Sequence, residues 1–178
     1  MIFIIGGLIL AVILFVILVY NNFISLDNRV VNAWAQVNVQ LKKRADLIPA
    51  LVDIVKGYAN YERKTLKEIT MLRSELLNVN SVAGKYEVNK ALGEMVNKFF
   101  VIAEDYPSLK ADENFLKLQE ELSDVEDKIA FTRQFYNDTV YKFNTKLQSF
   151  PYSLVAKFMG LVKKDSFNEK TDYEGVIF

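Results

Sequence analysis

The chain has 178 residues, room for one domain and an appendage, and its 22 basic and 22 acidic side chains balance. That balance gives no global attraction to nucleic acid or to anionic lipid. Cysteine and histidine are both absent, which removes disulfides, thiol nucleophiles, thiolate metal sites, the commonest general base and the commonest zinc ligand. No cofactor is expected.

The first element is apolar. Ile2 to Tyr20 carry no charge, and nineteen helical residues rise roughly 29 Å, about the thickness of a hydrocarbon core. A transmembrane helix is predicted over Ile2–Tyr20, within an anchor of residues 1–22. A cleaved secretory signal should open with a basic residue and end in a small-x-small cut site, and neither is found around "NNFISLDNRVV". Arg29, Lys42, Lys43 and Arg44 all follow the span, so the positive-inside rule predicts an outer N-terminus and a cytoplasmic remainder. A single-pass topology is expected.

Downstream the pattern is helical throughout. Steps of three and four lead through Trp34, Val37, Leu41, Arg44, Ile48, Leu51, Val55, Tyr58, Glu62, Thr65, Ile69, Leu72 and Leu76 without losing phase. Ala45, Val52, Ala59 and Leu66 widen the stripe beyond a two-stranded seam. Register kept across Pro49 favours one long helix kinked there, giving three helices in all. A new helix starting at Pro49 would give four.

Asn80, Ser81 and Gly84 signal a turn. A second stripe runs Val88, Leu92, Met95, Phe99, Ile102 and Tyr106 up to Pro107. A third takes Phe115, Leu118, Leu122, Val125, Ile129, Thr132, Tyr136, Val140, Phe143, Leu147 and Phe150. Pro151 then allows a short helix to about Val162, with Leu154, Val155, Phe158 and Val162 on one side. The predicted fold is all-α: a membrane helix followed by an elongated antiparallel three- or four-helix bundle over residues 23–162. The polar tail 163–178 is expected to be mobile.

Three stretches carry a resemblance: "AWAQVNVQLKKRADLIPALVDIVKGYANYE" from Ala33, "AEDYPSLKADENFLKLQ" from Ala103 and "RQFYNDTVYKFNTKLQSFP" from Arg133. With the apolar start and the closing "VIF", they resemble the LemA family of bacterial membrane proteins. The resemblance implies one membrane span, a cytoplasmic helical bundle and no established biochemical activity. Two positions depart from the family pattern. Ala50 stands where asparagine is usual after Ile48 and Pro49, and Tyr61 stands where a histidine usually lies. No acid-base or metal role at that second position operates in this chain.

The candidate interaction residues follow from charge and periodicity. Residues 42–73 hold eight bases and four acids, and residues 104–127 nine acids and two bases. The bands suit pairing within one subunit or between copies, or are simply two solvated faces. Lys42, Lys43 and Arg44 would reach anionic lipid only if their helix lay on the membrane. Arg44 and Glu62 are the charges on the first stripe. A cation on an apolar seam usually snorkels outward along its own stem, with room beside Ala45, whereas a buried Arg44 should fork onto a carboxylate such as Glu104 or Asp105.

Glu120, Glu121, Asp124 and Asp127 share helical spacings that suit a carboxylate-only metal site, although di-metal bundles complete theirs with histidine. Asn137 and Asn144, seven residues apart, suit register-fixing amides beside the aromatic stripe. Trp34 opens the first stripe as core packing. Val176, Ile177 and Phe178 form an apolar plug suited to a groove or a second subunit. Three functions follow: a self-associating membrane scaffold forming a homo-oligomer, an accessory or sensor subunit for another membrane or envelope protein, and a carboxylate-only enzyme.

Overall fold

A computed structural model describes residues 1–58 and 63–168. Among these residues the chain is helical and has no strand: α1 Ile2–Tyr58, α2 Arg63–Asn78, α3 Val82–Ala103, α4 Pro107–Lys110, α5 Glu113–Gln148 and α6 Tyr152–Phe158. Ala59 and Glu62 of the first stripe, and the plug Val176, Ile177 and Phe178, lie outside the described residues.

The apolar segment and the first stripe are one helix. α1 passes residue 22 without a break and passes Pro49 as well, so Pro49 does not begin a new helix. A proline inside a helix removes the N–H that would bond the carbonyl four residues back, which here belongs to Ala45. Arg73 of α2 supplies the missing donor, its Nε reaching the Ala45 oxygen at 2.8 Å. A contact between residues 28 apart in sequence also shows that the chain has reversed. α2 lies back along α1, where the unbroken heptad phase predicted continuation. No stripe periodicity marks such a reversal, because Ile69 and Leu76 keep the phase and are buried on the far side of it.

Side-chain caps set the later helix starts. Ser81 Oγ accepts from the Gly84 amide at 3.1 Å to open α3. Asp112 Oδ1 accepts from the amides of Asn114 and Phe115, at 2.9 and 3.0 Å, to open α5. Pro107 begins the single turn of α4, where its missing N–H costs nothing. Lys85 Nζ donates to the Leu76 carbonyl in the last turn of α2.

The chain divides into two compact units. The first takes Met1–Ala35 and Gln134–Ser166. In it α1 and α5 run antiparallel, because Phe23 meets Phe143 edge-on at 6.2 Å and Trp34 meets Tyr136 at 5.2 Å. Val19, Phe23, Val30, Ala33, Tyr136, Val140 and Phe143 are buried there. The second unit takes Gln36–Arg133 together with Phe167. Its core is the predicted stripe residues Val37, Leu41, Ile48, Leu51 and Val55 of α1, with Leu92, Phe99, Leu118, Leu122 and Val125.

Two expectations about the C-terminal part change. The tail from residue 163 is held through Phe167. In the first unit Asn144 grips the backbone of Lys164, and Lys164 Nζ pairs with Asp27 at 2.8 Å. In the second, Phe167 is buried and meets Tyr86 edge-on at 5.5 Å. The short helix also ends at Phe158, and its apolar residues divide. Val155 and Ala156 are buried, whereas Leu154, Phe158 and Val162 are exposed.

Candidate functional site

The strongest chemistry lies at Arg44, a cation only 3% exposed on the apolar stripe of α1. Its Nη1 donates to Asn89 Oδ1 at 3.1 Å, and its Nη2 lies 3.7 Å from Glu126 Oε2. The expected partners, Glu104 and Asp105, are not the ones used. The guanidinium lies beside Gly93, and Glu104 is eleven residues farther along, roughly 16 Å of helix. Gly93 makes the space, since a β-carbon there would stand 2.9 Å from Nη2. Burial lowers the Arg44 pKa from its ordinary value, and the Glu126 charge partly opposes that shift. Among the described residues neither Nε nor Oε1 of Gln40, one turn earlier, has a hydrogen-bond partner, and both are buried. Glu126 is half exposed, so this group is a buried cation tied mainly by an amide.

The other candidates are placed separately. Lys42 and Lys43 are exposed on α1, and Glu120, Glu121, Asp124 and Asp127 on α5. Asp124 Oδ2 accepts from Lys128 Nζ at 2.7 Å. That bond and the Lys128 charge hold the Asp124 carboxyl below its ordinary value, with a smaller effect from Lys43 on α1. Among the described residues no three acidic side chains converge as a metal group. Trp34 is half-buried and packs against Tyr136, the rings tilted by 46°.

Asn144 ties a segment that the stripe pattern did not implicate. Its Oδ1 accepts from the Lys164 amide and its Nδ2 donates to the Lys164 carbonyl, both at 2.9 Å. Tyr136 donates its hydroxyl to the Asp165 carbonyl at 2.8 Å. Burial, and then the Asp165 charge, push the Tyr136 pKa up to about 12. Asn137 is half-buried on the same helix. In the second unit an open groove of about 420 Å³ runs between Val52 and Lys56 of α1 and Leu66, Lys67, Thr70 and Met71 of α2. The described residues of its lining include no carboxylate.

These are the ties of a helical framework, and Arg44, Tyr136 and Asn144 among them lie in two of the three stretches that carry the family resemblance. The LemA family model matches residues 33–176, which contain all three. The chain belongs to the LemA family. The curated Protein LemA of Metamycoplasma hominis is 31% identical over 146 residues, covering 79% of this chain and 65% of that one. Magnetosome protein MamQ 2 of Paramagnetospirillum magneticum and magnetosome protein MamQ of Magnetospirillum gryphiswaldense are each 20% identical over 177 residues, covering 85% of this chain and 65% of theirs. This LemA-family chain therefore spans just under two thirds of the length of these relatives. None of their names describes a reaction.

Proposed function

We propose that the chain is a non-enzymatic, membrane-anchored scaffold whose helices associate with copies of themselves. One contrast along α1 carries the anchor. Ile2 to Leu18 is apolar on every side and its side chains stand exposed, whereas from Val30 onward the same helix buries one stripe and shows polar residues elsewhere. A helix apolar all round needs apolar surroundings on every side, and a bilayer supplies them while the helix satisfies its own backbone. α1 contains the one apolar run long enough to cross a membrane among the described residues. Arg29, Lys42 and Lys43 beyond the run favour a cytoplasmic remainder.

Self-association draws support from apolar side chains left exposed beyond the run. Phe131 on α5 is 71% exposed, and Val39, Met71 and Val101 are exposed as well. The basic and acidic bands would set the register of such contacts more than their strength, because an exposed ion pair contributes only about 0–1 kcal/mol. An accessory subunit for a different membrane protein would use the same side chains. Washing membranes with alkaline carbonate tests the anchor. The full chain should stay with the lipid, and its release would contradict the reading.

A further inference from the structure

α6 is apolar on two sides, and the first unit uses only one of them. Val155 and Ala156 face inward and are buried. On the opposite side Leu154 is 64% and Phe158 93% exposed, and the flanking residues Phe150 and Val162 are 80% and 72% exposed. A short helix in water normally turns polar residues outward, yet here the outward side offers little besides Lys157. Isolated exposed apolar residues are ordinary. Four within thirteen positions, two of them phenylalanine, form a patch that asks for a cover.

The position of α6 indicates the cover. Tyr152, its first residue, packs against Phe15 with ring centroids 6.2 Å apart. Phe15 lies inside the apolar run, five residues before Tyr20, or roughly 7.5 Å along the helix axis. Lys146, in the last turn of α5, donates to the Asn22 side chain just past the run and sits 4.5 Å over the Tyr152 ring. α6 therefore begins beside the membrane helix, at a depth that lipid must also occupy. Interfacial helices bury their apolar face about 5–10 Å into the boundary between headgroups and acyl chains, which is the depth that Phe15 sets.

We propose that Phe150 to Val162 form a second membrane-contact element lying in the bilayer interface beside α1. Phe150, Leu154, Phe158 and Val162 enter the acyl region, and Lys157 and Lys163 lie among anionic headgroups. The proposal rests on the reading of Ile2–Tyr20 as a span.

The absence of cysteine from the chain makes single-site labelling direct. Nitroxide labels at Leu154→Cys, Phe158→Cys and Val162→Cys, with Ile9→Cys as the span reference, would be measured on the full chain in phosphatidylcholine–phosphatidylglycerol vesicles. Collision with oxygen, which concentrates in lipid, is compared with collision with a water-soluble nickel chelate. The expected result is a several-fold excess of oxygen over nickel at Leu154 and Phe158, in the same sense as at Ile9. Nickel-dominated collision at Leu154 and Phe158 with oxygen-dominated collision at Ile9 would overturn the interfacial helix and leave the span standing. Nickel-dominated collision at Ile9 would remove both. Protection of Leu154 and Phe158 from both reagents would mean a protein cover, such as a second copy, and would also overturn the proposal. Leu154 and Phe158 of α6 and Val162 beyond it are all exposed, so packing survives substitution, and helix content by circular dichroism checks each variant.

Discussion

Arg73 donates its Nε to the carbonyl of Ala45 at 2.8 Å, the acceptor that Pro49 leaves without its helical donor. The bond satisfies the orphaned oxygen and latches α2 to α1. Arg73→Met should cost about 1–3 kcal/mol, because a half-buried carbonyl then loses a charged donor. Pro49→Ala restores an N–H within the helix, so in that background the same substitution should cost clearly less. Denaturant melts of the four proteins in one detergent measure the coupling. Equal costs in both backgrounds would show that Arg73 does not replace the missing donor.

Gly93 should respond to what occupies position 44. In a helix interior Gly→Ala ordinarily gains about 0.5–1 kcal/mol. Here the new methyl displaces the buried Arg44 guanidinium from Asn89, at a loss of about 1.5–3 kcal/mol for a charged hydrogen bond. The net expectation for Gly93→Ala is a loss of about 1 kcal/mol. With Arg44→Met, whose side chain is apolar and of similar length, Gly93→Ala should become stabilising. Chemical denaturation reads the sign, and stabilisation in both backgrounds would contradict the packing described.

High pH should act through Tyr136. Its pKa is about 12 in the folded chain against an ordinary 10.0, so the neutral hydroxyl contributes its full stability below pH 10. From pH 10 to about 12 the unfolded chain ionises first and the contribution drains away. Tyr136→Phe should therefore be less stable at neutral pH by about 1 kcal/mol, for the lost bond to the Asp165 carbonyl. Its stability should also fall less steeply across that alkaline window. Parallel pH profiles for the two proteins would refute the assignment.

Asn144 should control the segment that follows α6. Asn144→Asp retains an acceptor for the Lys164 amide but turns a second oxygen toward the Lys164 carbonyl, where Asn144 donates. The loop should loosen, and the Lys164 amide should exchange hydrogen faster by an order of magnitude or more, since about 1.4 kcal/mol corresponds to tenfold. Unchanged exchange at Lys164 would mean that other contacts hold the segment.

Helix type and core were legible because burial follows one period. Val37, Leu41, Ile48, Leu51 and Val55 face inward as the three-four spacing requires, and so do Leu118, Leu122, Val125 and Ile129. The reversal between α1 and α2 left no trace in that period, since both helices carry the same phase. Phe167 was hidden because a lone aromatic in a polar stretch has no periodicity to betray it. For Arg44 the stripe position left burial and an outward-snorkelling stem both open, and its neighbours carried no signal. Asn89 is uncharged, Glu126 comes from a distant helix, and a search by opposite charge pointed to Glu104 and Asp105. Asn144 is expected from its spacing to bond across helices, whereas it bonds the Lys164 backbone beyond α6, a partner with no side-chain signature.

The most direct test of a self-associating membrane scaffold is the mass of the particle extracted together with its surrounding lipid. The account predicts lipid-bearing particles of one size that contain several copies of the 20.5 kDa chain and no second protein. A single copy, or one copy joined to an unrelated subunit, would contradict it.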